Sequence, residues 1–245
     1  MTQDNRATPP DTSADFARQQ AKYQPVYEAL HAIYGDLEWR QSQSPMDELV
    51  SCILSQNTND NNRDRAFDAL QARYATWQAV VDADTDELID TIRPAGLANQ
   101  KGPRIQRVLA RIHEERGAYD IEFLRDMPQD EAINWLTSLD GVGPKTAAIV
   151  LCFGFGLPAF PVDTHVHRLS KRIGFIEENV NAEKAHTLME AIVPPEDRYA
   201  FHIYLIRHGR QTCTARKPAC ERCPITAYCD YYRHNVATGK ATEQS

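Results

Sequence analysis

Four of the six cysteines fall close together near the end of the chain, as Cys213-x6-Cys220-x2-Cys223-x5-Cys229. The opening residues, MTQDNRATPPDTSAD, lack the basic start and apolar stretch of an export signal. A cytoplasmic protein is therefore the expectation. Clustered thiols in that compartment point to metal ligation rather than to disulfides. Four thiolates can hold zinc or a [4Fe–4S] cluster, and the spacing leaves both open. Cys52 and Cys152 lie within apolar runs and read as core residues. A second group with chemical potential is Leu139-Asp-Gly-Val-Gly143, between two helical patterns. Two glycines around one aliphatic residue permit a tight hairpin. The amides of Gly141 and Gly143 would then point outward at a helix start, where a phosphate binds well. An ordinary turn between packed helices reads the same way.

The stretch LDGVGPKTA, followed by VDTHVHR, resembles the helix–hairpin–helix DNA glycosylases of the endonuclease III branch. The stretch HGRQTCTARKPACERCPITAYC is similar to that family's cluster loop along its whole length. The resemblance covers residues from about 25 to 232. It implies a [4Fe–4S] cluster on Cys213, Cys220, Cys223 and Cys229, with a mainly structural role. It places the catalytic lysine at Lys145 and the catalytic aspartate at Asp163. Such an enzyme removes an oxidised pyrimidine by attack of the lysine amine on C1′, then breaks the strand by β-elimination. The carboxylate stabilises charge developing on the sugar and helps deprotonate the nucleophile. Lys145 in the first turn of its helix suits this, because the dipole there favours the neutral amine that attack needs. Asp163 before Thr-His-Val also reads as a helix cap. His165 and His167 read as positional.

The same resemblance implies double-stranded DNA with damaged bases or abasic sites as partner, bound by a monomer at the nucleoid and not at a membrane. The target base must leave the duplex, and side chains must fill the gap. The segment Ile53–Asp60 resembles one gap-filling loop, with Asn57 where the family commonly has Gln, and Gln56 beside it as the alternative wedge. The segment Ile92–Lys101 resembles the second, with Leu97 as intercalator, although core packing is the competing role for a leucine. Lys101, Arg210, Arg216 and Lys217 are expected at phosphates. Asp140 stands where the family usually has Pro, and its charge should weaken the hairpin's phosphate contact.

These groups need a scaffold. Val26, Leu30, Ile33 and Tyr34 recur at helical spacing after Pro25, as do Phe67, Leu70 and Tyr74. A helix is expected over 45–57. Asp84 and Glu87 suggest a capping box. Ile105, Val108, Leu109 and Ile112 share one face. Pro128 and Pro144 read as first helical residues, the latter opening an all-apolar run to Phe153. Further helices are expected over 163–173, 181–192 and 196–211. No period-2 alternation is sustained, so the fold class is all-α. The family implies two helical lobes with a DNA groove between them. The barrel lobe takes 40–158, with the helix–hairpin–helix at 128–154. The cluster lobe joins 14–39 to 159–232. Tails at 1–13 and 233–245 are expected to be disordered or flexible.

Apolar residues make up 42% and net charge is −7, which mildly opposes a nucleic-acid partner until the charge is mapped. From Arg93 to His113 there are Arg93, Lys101, Arg104, Arg107 and Arg111 without one acid, whereas Asp82–Asp90 is strongly acidic. A cationic DNA face is the expectation. Two competitors fit less well: a monofunctional mismatch or damage glycosylase, which typically lacks a lysine at position 145, and a damaged-DNA binding module without turnover. A zinc protein with an unrelated partner is a third.

Overall fold

The computed structural model describes residues 13–237, and among them every regular element is helical. Helix α1 spans Ser13–Ala21 and α2 spans Tyr23–Tyr34. Helix α3, Pro45–Ser55, starts at a capping box: the Ser44 hydroxyl accepts from the Asp47 amide while the Asp47 carboxylate accepts from the Ser44 amide. Helices α4 (Asp60–Arg73), α5 (Trp77–Asp82) and α6 (Thr85–Thr91) begin on the side chains of Asn59, Thr76 and Asp84, each accepting from first-turn amides. Helix α7, Ala98–Arg116, buries Ile105, Val108, Leu109 and Ile112, the face that the periodicity predicts. Helix α8 is Gln129–Thr137, with Pro128 as its cap residue rather than its first helical one. Helix α9, Pro144–Ile149, has Pro at its first position and continues into a wide turn over Val150–Gly154. Helices α10 (Thr164–Ile173), α11 (Ala182–Ile192) and α12 (Arg198–Gln211) follow.

The chain divides into two compact units. The larger comprises Leu37–Asp163 and Pro195–His202. Its centre is α3, which buries Met46, Leu49, Val50, Ile53 and Leu54 among Leu70, Leu88, Leu109, Leu136 and Leu151. Each such side chain contributes about 1.5–3 kcal/mol by leaving water. Gly154 lets the wide turn after α9 approach the start of α3, since a Cβ there would lie 3.1 Å from the Pro45 Cα. The Trp39 indole donates to the Phe153 carbonyl at 2.9 Å and fastens the entry segment to that turn.

The smaller unit takes the chain up to Asp36, then Thr164–Pro194, then Ile203 onward. The Lys22 ammonium joins three of its segments, donating to the Ile173 carbonyl and pairing with Asp230, both at 2.7 Å. The Tyr204 hydroxyl donates to the Gly35 carbonyl at 2.7 Å. Residues 1–12 of the expected N-terminal tail lie outside the described residues, and Ser13 already opens α1. The expected tail from 233 starts too early, because Tyr232–Val236 form a helical turn in which the Asn235 amide group donates to the Tyr231 carbonyl. Residues 238–245 lie outside the described residues. No described helix is long and apolar enough to cross a membrane.

Candidate functional site

The hairpin between α8 and α9 is built as its sequence dictates. Leu139 and Val142 are buried, and the Val142 amide donates to the Leu139 carbonyl at 3.1 Å. Gly141 has φ +72°, and an added Cβ would collide with the Arg104 guanidinium. Among the described residues neither the Gly141 nor the Gly143 amide donates to a backbone carbonyl, and Gly143 is the cap residue of α9. Both amides are therefore available to an anion.

Lys145 follows directly. Thr146, Ala147 and Ala148 turn α9 into the core and leave Lys145 exposed. Its charge acts on the Cys52 thiol of α3, which burial pushes well above the ordinary thiol range. That thiol donates to Glu48 Oε1 at 3.6 Å, and the Gln43 amide donates to Glu48 Oε2 at 2.6 Å. Burial pushes the Glu48 carboxyl up as well. From sequence Cys52 reads as core and Glu48 as an ordinary helix acid. The one available signal was an acid four residues before a cysteine on an otherwise apolar helix. Asp163 is half-buried and immediately precedes α10. The segment leading to it is held by His202 Nδ1, 2.9 Å from the Pro161 carbonyl. Lys145 and Asp163 belong to the same unit. His165 Nδ1 accepts from Arg168 at 3.2 Å, and His167 Nε2 lies 2.9 Å from the Val180 carbonyl.

Among the described residues the two non-glycine residues of positive φ are Asn57 (53°) and Leu97 (50°). These are the two residues expected to fill the gap left by an extruded base. Leu97 is 47% exposed, so the core-packing role fails. A left-handed leucine costs about 1–2 kcal/mol, and such strain collects at functional sites. Gln56 is engaged otherwise: its amide donates to the Gly141 carbonyl at 2.8 Å and its carbonyl accepts from Arg104 at 3.0 Å. The first loop is thus tied to the hairpin through Gln56, and Asn57 is left at its exposed tip.

One expectation about cations needs correction. Lys101 is not a phosphate ligand in this structure: it is 1% exposed, and its ammonium donates to the Leu54 and Ala95 carbonyls at 2.7 and 2.8 Å. A lysine in a run of cations reads as solvent-facing, and only burial reveals otherwise. Most other cations of the stripe lie at the surface beside acidic neighbours, which lowers their net positive field. Arg93 pairs with Asp90, Arg107 donates to Asp140 at 2.6 Å, and Arg111 pairs with Glu115 at 2.7 Å while reaching the Ser138 carbonyl. The Arg107 hydrogen bond holds the Asp140 carboxyl below the usual carboxylate range. Arg210, Arg216 and Lys217 are exposed in the smaller unit, the last two on the loop between Cys213 and Cys220.

Cys213, Cys220, Cys223 and Cys229 line one cavity. Arg172 donates to Cys213 Sγ at 3.2 Å, and His208 Nε2 lies 3.4 Å from Cys223 Sγ. Four cysteine thiols lining one cavity supply the donor set that a [4Fe–4S] cluster needs.

Residues 50–195 match the HhH-GPD superfamily of base excision DNA repair proteins, and residues 213–229 match the iron–sulfur binding domain of endonuclease III. The chain belongs to the HhH-GPD superfamily. Its relatives there include endonuclease III of Sulfolobus acidocaldarius, 34% identical over 77% of this chain and 82% of that one. Endonuclease III of Thermotoga maritima is 35% identical over 77% and 84%. A putative DNA glycosylase of Arabidopsis thaliana is 32% identical over 78% and 68%. Among solved structures, a trapped endonuclease III–DNA covalent intermediate superposes with a TM-score of 0.76 at 28% identity, covering 89% of this chain and 98% of that one. The iron–sulfur match spans all four cysteines, and the cofactor is a [4Fe–4S] cluster.

Proposed function

We propose that this chain is a monomeric base-excision glycosylase and abasic-site lyase that acts on oxidised pyrimidines in duplex DNA at the nucleoid. The observation that carries the reading is Lys145, an exposed amine two residues beyond an outward-facing amide hairpin, in a chain of the base-excision superfamily. The hairpin amides of Gly141 and Gly143 hold a backbone phosphate, so the target sugar lies beside Lys145. Asn57 and Leu97 occupy the space of the extruded nucleotide. The neutral Lys145 amine attacks C1′: the N–C1′ bond forms, the bond to the base breaks, and the base leaves with the electron pair. Asp163 stabilises positive charge on the sugar and accepts the proton that the amine releases. Ring opening gives an imine, which acidifies C2′. Loss of that proton expels the 3′ phosphate, and water frees the lysine. Cys213, Cys220, Cys223 and Cys229 hold the cluster, which when bound pins the loop carrying Arg216 and Lys217 toward phosphate; Arg210 lies just before that loop.

The reading is tested with duplexes that each carry one lesion, followed separately for base release and strand nicking over several turnovers. Release and nicking of an oxidised pyrimidine, both lost in Lys145→Ala, is the expected result. Release without nicking would replace it by the monofunctional enzyme, and binding without release by a recognition module.

A further inference from the structure

Lys101 lies one turn after Leu97 on α7. A buried ammonium costs several kcal/mol unless its donors are satisfied. Among the described residues no carboxylate pairs with it. Its two acceptors are backbone carbonyls. Leu54 belongs to the last turn of α3, where carbonyls lack helical partners and the helix dipole is negative. Ala95 ends the short helical turn Arg93–Ala95. Each carbonyl therefore closes an element just before a strained, exposed tip: Leu54 is followed by Ser55, Gln56 and Asn57, and Ala95 by Gly96 and Leu97. One ammonium bridges the bases of both loops at 2.7 and 2.8 Å. Three residues further along α7, Arg104 holds Gln56. Packing alone would be served by an apolar side chain at this depth, so the charge needs another reason.

We propose that Lys101 is a positioning residue that couples the two gap-filling loops, so that Asn57 and Leu97 enter the duplex as one unit. The proposal rests on the base-extrusion reading above. It does not require the chemical step, because opening of the duplex can be read without it.

The test uses the full chain with its cluster and a duplex carrying 2-aminopurine beside the lesion, whose fluorescence rises on unstacking. Lys101→Met keeps the stem and removes the donors. We expect opening to slow by about tenfold or more, which is what losing one charge-assisted hydrogen bond at the transition state would give. Cleavage of an abasic site in a single strand, where no gap has to be filled, should stay within about twofold under the same bookkeeping. A proportional fall on both substrates, or no change in opening, would overturn the proposal. If Lys101→Met does not fold, a cycle of Asn57→Ala and Leu97→Ala in the wild-type background decides. Loops acting as one unit give a double variant little slower to open than the worse single one, whereas independent loops multiply their effects. Opening by a wild-type protein that neither releases nor nicks would count against the proposed chemistry and leave the coupling measurable.

Discussion

At the scale of single residues, Asn57 and Leu97 are the two described non-glycine residues in a backbone region that L-residues avoid. Asparagine tolerates the left-handed region better than most residues, but leucine does not. Leu97 keeps that conformation while nearly half exposed, so little packing compensates it. Leu97→Gly should therefore leave thermal stability unchanged or raise it by up to about 1 kcal/mol, the left-handed penalty less the added freedom of glycine. Base opening should fall in the same variant. A melting temperature several degrees lower would show that Leu97 packs into the core after all. Residues of this kind explain what was legible in advance. Lys145, Asp163 and the four cysteines stand out as candidates in the sequence because the chemistry proposed for them depends on residue type and order. Lys101 could not be, since its role depends on depth, and depth in a run of arginines follows from which face of α7 meets the core.

At the scale of elements, the hairpin and the two loops are joined by contacts from one helix. Arg104 presses on Gly141 and donates to Gln56, and Gln56 donates to Gly141. Gly141→Ala would force a Cβ into the left-handed region, at about 1–2 kcal/mol, and displace the guanidinium as well. DNA affinity in that variant should fall about tenfold or more, equivalent to about 1.4 kcal/mol, as measured by fluorescence anisotropy. Unchanged affinity would mean that the hairpin does not grip phosphate. Helix α3 ends at Ser55 and not at 57 because Gln56 is extended and Asn57 then turns left-handed. The periodic pattern continues through those positions and gives no sign of the turn. The capping box of α3 uses Asp47 in place of the usual Glu or Gln, which hides it from a pattern search.

At the scale of the whole molecule, net charge of −7 is reconciled with a DNA-processing role by where the cations lie. Arg107 and Arg111 on α7 form ion pairs with nearby acids at the surface, and Arg216 and Lys217 of the cluster loop are exposed and proposed to meet phosphate. Arg216→Ala and Lys217→Ala should each reduce the slope of log affinity against log salt by about 0.9, one phosphate apiece. A slope unchanged in both would move the DNA contact elsewhere. The all-α class was legible because helical periodicity runs through nearly the whole chain. The pairing of Arg107 with Asp140 was not, because it joins residues far apart in sequence.

During the proposed reaction Lys145 becomes covalently bound to the sugar. Reduction with borohydride during reaction on a lesion-bearing duplex should trap a protein–DNA adduct, with the modified peptide containing Lys145 and no adduct in Lys145→Ala. Base release by the intact protein without any trapped adduct, or an adduct that persists in Lys145→Ala, would contradict it.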